Sequence, residues 1–565
     1  MDSQLQRKSK IITRREIEAL IASGRAIVIV DNKVLKLDAW LPYHPGSQKA
    51  IQHMVGRDAT DEVQRFHSLE TVAFSNRFQI GRIQGPWVNF LPPIQGGKFR
   101  TEEELVAISD RDYDESLVER DNASATSSEG PSPIFEPVDH LNPAVRKRNS
   151  ALNARASSSS SISSVELDDI PSKPKMSLMD ARTQREIDFD KAKYPSLDPE
   201  TQAKVVDKYR ELEKRIQAEG LYDCRYSSYG IELLRYAFYF GMFLFLLRSG
   251  WYITSSVFLG TLWHQLSFTV HDAGHMGITH NFQVDTTIGM IIANYMGGLS
   301  LGWWKYSHNV HHIVTNSPEH DPDIEYLPLF ALTHRFFDNL VSSYHEKVME
   351  YDAFAKFMLQ YQDYLFYVFM CFGRFNLYRL SFTYLLSGQG PRKGPAWWHR
   401  YFELLGQAFF WTWFGYGVVY KSIPGFWNRF IFVLVCHVIT APLHVQITLS
   451  HFAMSTADLG TAESFPQRQL RTTMDVDCPQ WLDFFHGGLQ FQAIHHLFPR
   501  VPRHNLRKTQ KLVQEFCNEV DIPYALYGFV DGNKTVIGKL TDVKRQAAIL
   551  AECQRTLAEG DFGIH

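Results

Sequence analysis

The sequence predicts a multi-domain protein. A small soluble domain comes first, then a disordered linker. An all-α polytopic membrane domain follows, with about four transmembrane helices and a cytosolic cap of histidine boxes. Three observations carry this. Residues 10–83 mix apolar and polar side chains at the density of a small folded domain. Residues 85–198 turn polar and contain an unbroken serine run at Ser157–Ser161. Beyond about residue 225, long uncharged stretches begin, and clusters of histidine punctuate them.

The bulk numbers bound the function classes. The 565 residues leave room for two or three domains. A net charge of −3 gives no basic footprint, so no nucleic-acid partner is expected. Six cysteines occur without C-x-x-C pairs, which excludes a thiolate zinc site and fits a reducing compartment. The opening MDSQLQRKSKIITRREIE has no apolar core, so no cleavable signal peptide is expected. The mean hydropathy of −0.22 averages an apolar second half with a polar first half.

The linker cannot bury enough apolar surface to offset its ordering entropy, so residues 85–198 are expected to be a solvated tether. Residues 199–225 read as a polar amphipathic helix before the membrane. The expected spans are 231–248, 251–270, 404–421 and 430–449, since about 20 apolar residues cross the hydrocarbon. The Gly-rich Thr286–Trp304 is ambiguous. Gln360–Phe375 carries Asp363 and Arg374 and reads as interfacial. Four spans put both termini on one side, the cytosolic side. Residues 521–565 are expected to be a cytosolic tail.

The chemistry lies in the histidines. There are 23, and they group as His271-Asp-Ala-Gly-His275, His308-Asn-Val-His311-His312 and Gln492-Ala-Ile-His495-His496. An H-x-x-H-H pattern is expected by chance only ~0.04 times at this frequency. On a helix, positions i, i+3 and i+4 share a face, so each box converges on one point. Seven imidazoles exceed the three protein ligands typical of a catalytic zinc, and a two-metal site would explain the number. Imidazole suits Fe, Cu, Ni and Zn alike, so spacing does not name the metal. His264, His280, His320, His437 and His444 read as ordinary structural or interfacial residues. Asp272, Asp321 and Asp323 read equally well as partners of ligand imidazoles or as solvated carboxylates.

The three boxes, with NSPEHDPDIEYLPLF after the second and HHLFPRVPRHNL around the third, resemble the membrane fatty-acyl desaturase family over about residues 226–520. The resemblance implies a centre of two non-haem Fe ions at cytosolic helix ends in the endoplasmic reticulum membrane. It implies ligands His271, His275, His308, His311, His312, His495 and His496. His451, in LSHF, matches a further ligand position. Gln492 stands where other branches have histidine, and joins the metal set directly, through water or as an outer partner. A box opening with Gln is similar to the front-end branch.

Residues 41–47, LPYHPGS, and 56–68, GRDATDEVQRFHS, resemble cytochrome b5. The resemblance covers residues 9–84 and implies a small α+β domain binding haem b, with axial ligands His44 and His67. Two protein ligands close both faces of the iron, which suits electron transfer. It also implies NADH-cytochrome b5 reductase as the electron donor. Ser47 departs from the family's second Gly, a substitution disfavoured if that position has positive φ. His53, a rival ligand, reads as a surface residue.

TVHDAGH, FQAIHHLFPR and the serine-rich insert are most similar to the sphingolipid Δ8 branch. That branch acts on the long-chain base of ceramide or a related membrane lipid, with O₂ as oxidant. The alternatives are a Δ5/Δ6 front-end acyl desaturase on phospholipid or acyl-CoA, a hydroxylase with similar boxes, and a non-catalytic membrane haem- or metal-binding protein.

Overall fold

The computed structural model describes residues 8–108 and 177–559. The serine run and most of the expected linker lie outside the described residues.

The N-terminal domain is built on a three-stranded antiparallel sheet, β1 (Ile27–Val30), β2 (Lys33–Lys36) and β3 (Gln79–Arg82), in that order. Asp31 and Asn32 join β1 to β2 with positive φ at both positions, as a two-residue hairpin of this hand requires. Helix α1 (Arg14–Ala22) begins with a capping box between Thr13 and Glu16. It buries Ile17 and Ile21 against the all-buried strand β1. Two short helices, α2 (Gln48–Gln52) and α3 (Thr60–Phe66), follow the segments that carry His44 and precede His67.

The expected linker is shorter than its sequence suggested. Trp87, Phe90 and Phe99 pack on the core of the N-terminal domain, and Trp87 Nε1 donates to Gly56 O at 2.9 Å. At the other end, residues up to 193 form helix α4 (Leu178–Lys193), capped by Ser177. Asp190 of α4 accepts from the buried Arg471 at 2.9 Å. Aromatic and charged residues scattered through a polar composition make these contacts, and composition averages over them.

The second domain is helical. Helix α5 (Pro199–Ala218) is amphipathic as expected, with Val205, Tyr209, Leu212 and Ile216 buried. Helices α6 (Tyr226–Arg248) and α7 (Tyr252–Gly274) form a hairpin. A broken segment leads to α8 (Leu301–Ile313). Beyond it lie α9 (Gln362–Ser387), α10 (His399–Phe410, continued by a π-helix to Ser422), α11 (Phe426–Val438) and α12 (Ala441–Phe452). Among the described residues, two stretches are long and apolar enough to cross a bilayer: α6, and Phe426–Phe452, which is α11 with α12. Around them Leu234, Phe245, Trp251, Phe426 and Trp427 are each more than 60% exposed, an apolar and aromatic surface of the kind a bilayer covers. Helix α7 occupies the interior between α6 and α11. A Cβ on Gly260 would stand 2.6 Å from Cys436 O, so glycine permits the close approach of α7 to α11.

One ambiguous segment is resolved and two further expectations change. Thr286–Trp304 is not one helix: a π-turn at Ile291–Met296 ends at Gly297, whose carbonyl accepts from Arg374 at 2.5 Å. Gln360–Phe375 belongs mostly to the 26-residue α9, and Arg374 is buried in the bundle against Trp263 rather than interfacial. The expected C-terminal tail contains a 31-residue helix (Phe529–Glu559) that buries Val536, Leu540, Val543 and Ala547. Helices α13 (Gln492–Leu497) and α14 (Leu506–Glu519) lie before it and share one hydrophobic cluster with α5.

Candidate metal centre and haem site

Four elements bring the boxes together. His271 lies in the last turn of α7, and His275 is its C-cap. Helix α8, capped by Ser300, presents His308, His311 and His312 on one face. Helix α12 ends beside His451. The short α13 is anchored by Asp475, which accepts from Ala493 N at 2.8 Å and from Tyr524. Residues at i, i+3 and i+4 of that helix, Gln492, His495 and His496, then share a face.

The histidines fall into two adjoining groups. His271, His275, His308 and His495 offer ring nitrogens within 4.8 Å of one another, and so do His311, His451 and His496. His312 lies between. Its Nε2 is 3.1 Å from Nε2 of both His308 and His495, while its ring stacks on His496 at 4.1 Å. His311 Nε2 and His451 Nε2 approach to 3.3 Å.

The surroundings resolve the aspartates. Asp321 is fully buried and takes the Nδ1 proton of His311 on both oxygens, at 2.9 and 3.0 Å. Asp323 stands 3.9 Å from His308 Nδ1 and 3.8 Å from His311 Nδ1. Asp272 does not face a histidine; it pairs with Arg503 and accepts from Tyr229. Three residues to which the sequence assigned no role complete the shell. Asn316 donates its backbone N–H to Asp321 at 2.7 Å and its amide to His451 O at 2.8 Å. Gln469 accepts from His496 Nδ1 at 3.0 Å and donates to His312 O at 2.9 Å. Thr315 bonds back to His311 O.

These groups fit metal ions. Buried polar atoms ordinarily have partners, yet Nε2 of His271, His275 and His496, Nδ1 of His451 and Oε1 of Gln492 are buried with none. Burial holds His312, His495 and His496 well below the ordinary histidine value, leaving neutral rings with free lone pairs. Burial also opposes charge on His311, but the Asp321 and Asp323 carboxylates outweigh it and push that ring up to about 9. A carboxylate on the far nitrogen fixes the tautomer and orientation of a ligating imidazole.

The other histidines stand outside both groups. His280 Nε2 donates to Tyr222 O, His320 Nδ1 meets Ser343 Oγ, and the His437 ring stacks on Phe375. His264 stacks on Phe485, and His444 lies against Gly373.

His44 and His67 face each other with ring centres 5.8 Å apart. Two imidazoles bound to opposite faces of one iron at about 2 Å each would stand about 6 Å apart. Each ring is fixed through Nδ1, His44 to Ser47 O at 2.9 Å and His67 to Val63 O at 3.0 Å, which leaves Nε2 for iron. Burial pushes His44 down to about 4, so it stays neutral. Ser47 does have positive φ, +93°, as its departure from glycine made critical. Its hydroxyl caps α2 through Lys49 N at 3.1 Å, a compensation glycine lacks. His53 is not a surface residue. It is fully buried, accepts from Gln95 Nε2 at 2.9 Å, and lies 5.3 Å from the His320 ring of the second domain. It is thus enclosed by partners from both domains.

Residues 249–528 match the fatty acid desaturase family, and residues 13–84 match the cytochrome b5-like haem/steroid binding domain. A Delta 8-(E)-sphingolipid desaturase of Emericella nidulans is 60% identical over 559 residues, covering 99% of both chains. The chain belongs to the fatty acid desaturase family. Its b5 domain indicates haem binding, and its family is membrane-bound and iron-dependent. Proteins of the same name from Candida albicans and Kluyveromyces lactis are each 47% identical, over 99% and 97% of this chain and 100% and 95% of theirs. A Delta(8)-fatty-acid desaturase of Helianthus annuus is 35% identical over 63% of this chain and 78% of its own. This desaturase therefore shares its whole length, including the fused haem domain, with the fungal proteins.

Proposed function

We propose that this desaturase inserts an E double bond at Δ8 of the long-chain base of ceramide or a related sphingolipid, with O₂ as oxidant. The observation that carries the reading is the pair of buried histidine groups, in a chain similar end to end to Delta 8-(E)-sphingolipid desaturases. His271, His275, His308, His312 and His495 would hold one iron and His311, His451 and His496 the other, with Gln492 beside them. His312 also borders the second group. Iron bound there would supply the oxidising chemistry needed at an unactivated methylene, which no acid or base side chain provides. The protein's own work is orientation. Asp321 fixes His311, Gln469 fixes His496, and Asn316 ties Asp321 to the end of α12.

Reducing one O₂ to two waters takes four electrons, of which the lipid supplies two. The other two would come from NADH-cytochrome b5 reductase, and His44 and His67 would hold the haem b that supplies one-electron transfer. Four spans, α6, α7, α10 with its π-helix, and α11 with α12, hold the domain in the endoplasmic reticulum membrane, with termini and boxes cytosolic. The exposed apolar belt supports this placement.

Mass spectrometry of lipids from cells with and without the protein tests the reading. Loss of the 4,8-diene long-chain base is expected. Loss of a polyunsaturated acyl chain instead would move the substrate to an acyl lipid, and an unchanged lipid profile would remove the activity altogether.

A further inference from the structure

Both haem-ligand segments lie against α8, which carries the second box, and one of them also meets the segment that follows the third box. On the first side, Asn309 projects from the second box away from its histidines and donates to Gly46 O at 3.2 Å. A Cβ on Gly46 would stand 3.0 Å from that Asn309 nitrogen and 2.9 Å from His44 Cε1, so glycine sets the approach. Ala50 of α2 packs with Val310 of α8 and with Val314, its C-cap. On the second side, Arg500 donates to His67 O at 2.8 Å. Phe66 precedes His67 directly, and its ring meets the His312 ring edge-on at 5.5 Å and 80°. His312 is the imidazole whose Nε2 lies 3.1 Å from both His308 and His495.

Three ion pairs hold this contact. Asp61 receives two bonds from Arg210 at 2.9 and 3.2 Å, Arg65 pairs with Glu213, and Lys49 pairs with Glu346 at 2.7 Å. Arg210 and Glu213 belong to α5, whose Tyr209 donates to Leu497 O at 2.7 Å, beside the third box. One helix thus fixes both Phe66 and the third box. Plain domain packing would account for the ion pairs and for Ala50. Phe66 also packs on the cluster of α5, α13 and α14, but that packing does not by itself dictate that its ring, one peptide bond from a haem ligand, meets the histidine between the two metal groups.

We infer that this docked arrangement is the electron-delivering state and that Phe66 is its bridging residue. The inference rests on the function proposed above. Electron tunnelling falls steeply with distance and is faster through bonded and packed atoms than across solvent, and the His67–Phe66–His312 path is bonded and packed throughout. Each passage moves one electron. Ferrous haem is oxidised to ferric, one ferric non-haem iron is reduced to ferrous, and no bond forms or breaks. Two passages serve one turnover, and an NADH-dependent flavoprotein reductase restores the ferrous haem.

The test uses full-length protein in detergent with its haem reduced beforehand. It is mixed with O₂ and ceramide, and haem reoxidation is followed by its visible absorption. Iron content, the haem spectrum and the rate of haem reduction by the reductase are measured on the same samples. Phe66→Leu should slow reoxidation at least tenfold while leaving those three quantities unchanged. Phe66→Tyr, which keeps the ring, should stay within twofold of the wild type. Reoxidation of Phe66→Leu at the wild-type rate, with non-haem iron present, overturns the bridge alone. A wild-type protein without non-haem iron overturns both the bridge and the proposed function. Should Phe66→Leu loosen the haem, Asp61→Arg and Arg210→Asp decide the matter. Each alone should slow reoxidation and the double exchange should restore it, whereas unaffected single variants overturn the docked state.

Discussion

At the scale of residues, the ligand set depends on side chains that hold imidazoles in place. Asp321→Asn keeps the size of the side chain but removes the charge that takes the His311 proton. Loss of such an outer partner lowers metal affinity about 10–100-fold. Dialysis against a graded chelator should therefore strip iron from the variant at lower chelator strength than from the wild type, and identical curves would remove Asp321 from the site. His44→Ala should abolish NADH-driven turnover while non-haem iron stays bound; normal turnover would refute the relay. Ser47 spends strain at φ +93° to keep its cap. Such backbone costs about 1–3 kcal/mol, and exchanging a Ser cap for Gly costs a few tenths. Ser47→Gly should thus raise the melting temperature of the haem domain, and a lower value would show that the cap outweighs the strain. The boxes were legible because spacing alone puts their nitrogens on common faces. The difference between Asp321 and Asp272 was not, because each stands near a box in sequence and only the fold turns one to His311 and the other to Arg503. Asn316 opens the NSPEH segment that carried the resemblance, but its role was not legible there, and Gln469 follows no pattern at all.

At the scale of elements, α8 is two-faced: histidines on one side face the metal groups, and Val310 and Val314 on the other face α2. The sequence showed the first face and was silent on the second, because its partner lies about 260 residues away. The C-terminal helix was legible in principle. Val536, Leu540, Val543 and Ala547 recur at helical spacing, but its polar composition resembles a solvated tail. Leu540 is fully buried among Phe366, Leu449 and Val476. Leu540→Ala should destabilise the helical domain by about 2–5 kcal/mol, read as a lower melting temperature in detergent; an unchanged value would make the helix an accessory. In α3, burial raises Glu62 to about 7, although Arg57 opposes it. A carboxyl raised on folding stays protonated in the native state after it ionises in the unfolded chain. Its stabilising share is complete below about 4.5 and is lost as pH rises through about 7. The loss is at most about 3 kcal/mol. Wild-type haem-domain stability should fall across that window relative to Glu62→Gln, and parallel curves would refute it.

At the scale of the whole molecule, sequence reading separated a haem module from a helical module but treated the connection as a free tether. The described residues instead show docking through Lys49–Glu346, Asp61–Arg210 and Arg65–Glu213. Such an interface is invisible in sequence because charged residues that pair across domains look like ordinary surface. A covalent tether supplies an effective concentration in the millimolar range, so modest contacts suffice. Glu346 is 77% exposed and Arg210 39%, so salt reaches these pairs. Raising ionic strength from about 0.1 to 1 M shortens screening from about 10 to 3 Å, and haem reoxidation should slow several-fold; a salt-independent rate would assign docking to the apolar contacts alone. All of this rests on what the two histidine groups hold. The most direct measurement is total iron against haem in the purified, active, full-length protein: three irons per haem is the predicted ratio, and a single iron per haem would contradict the account.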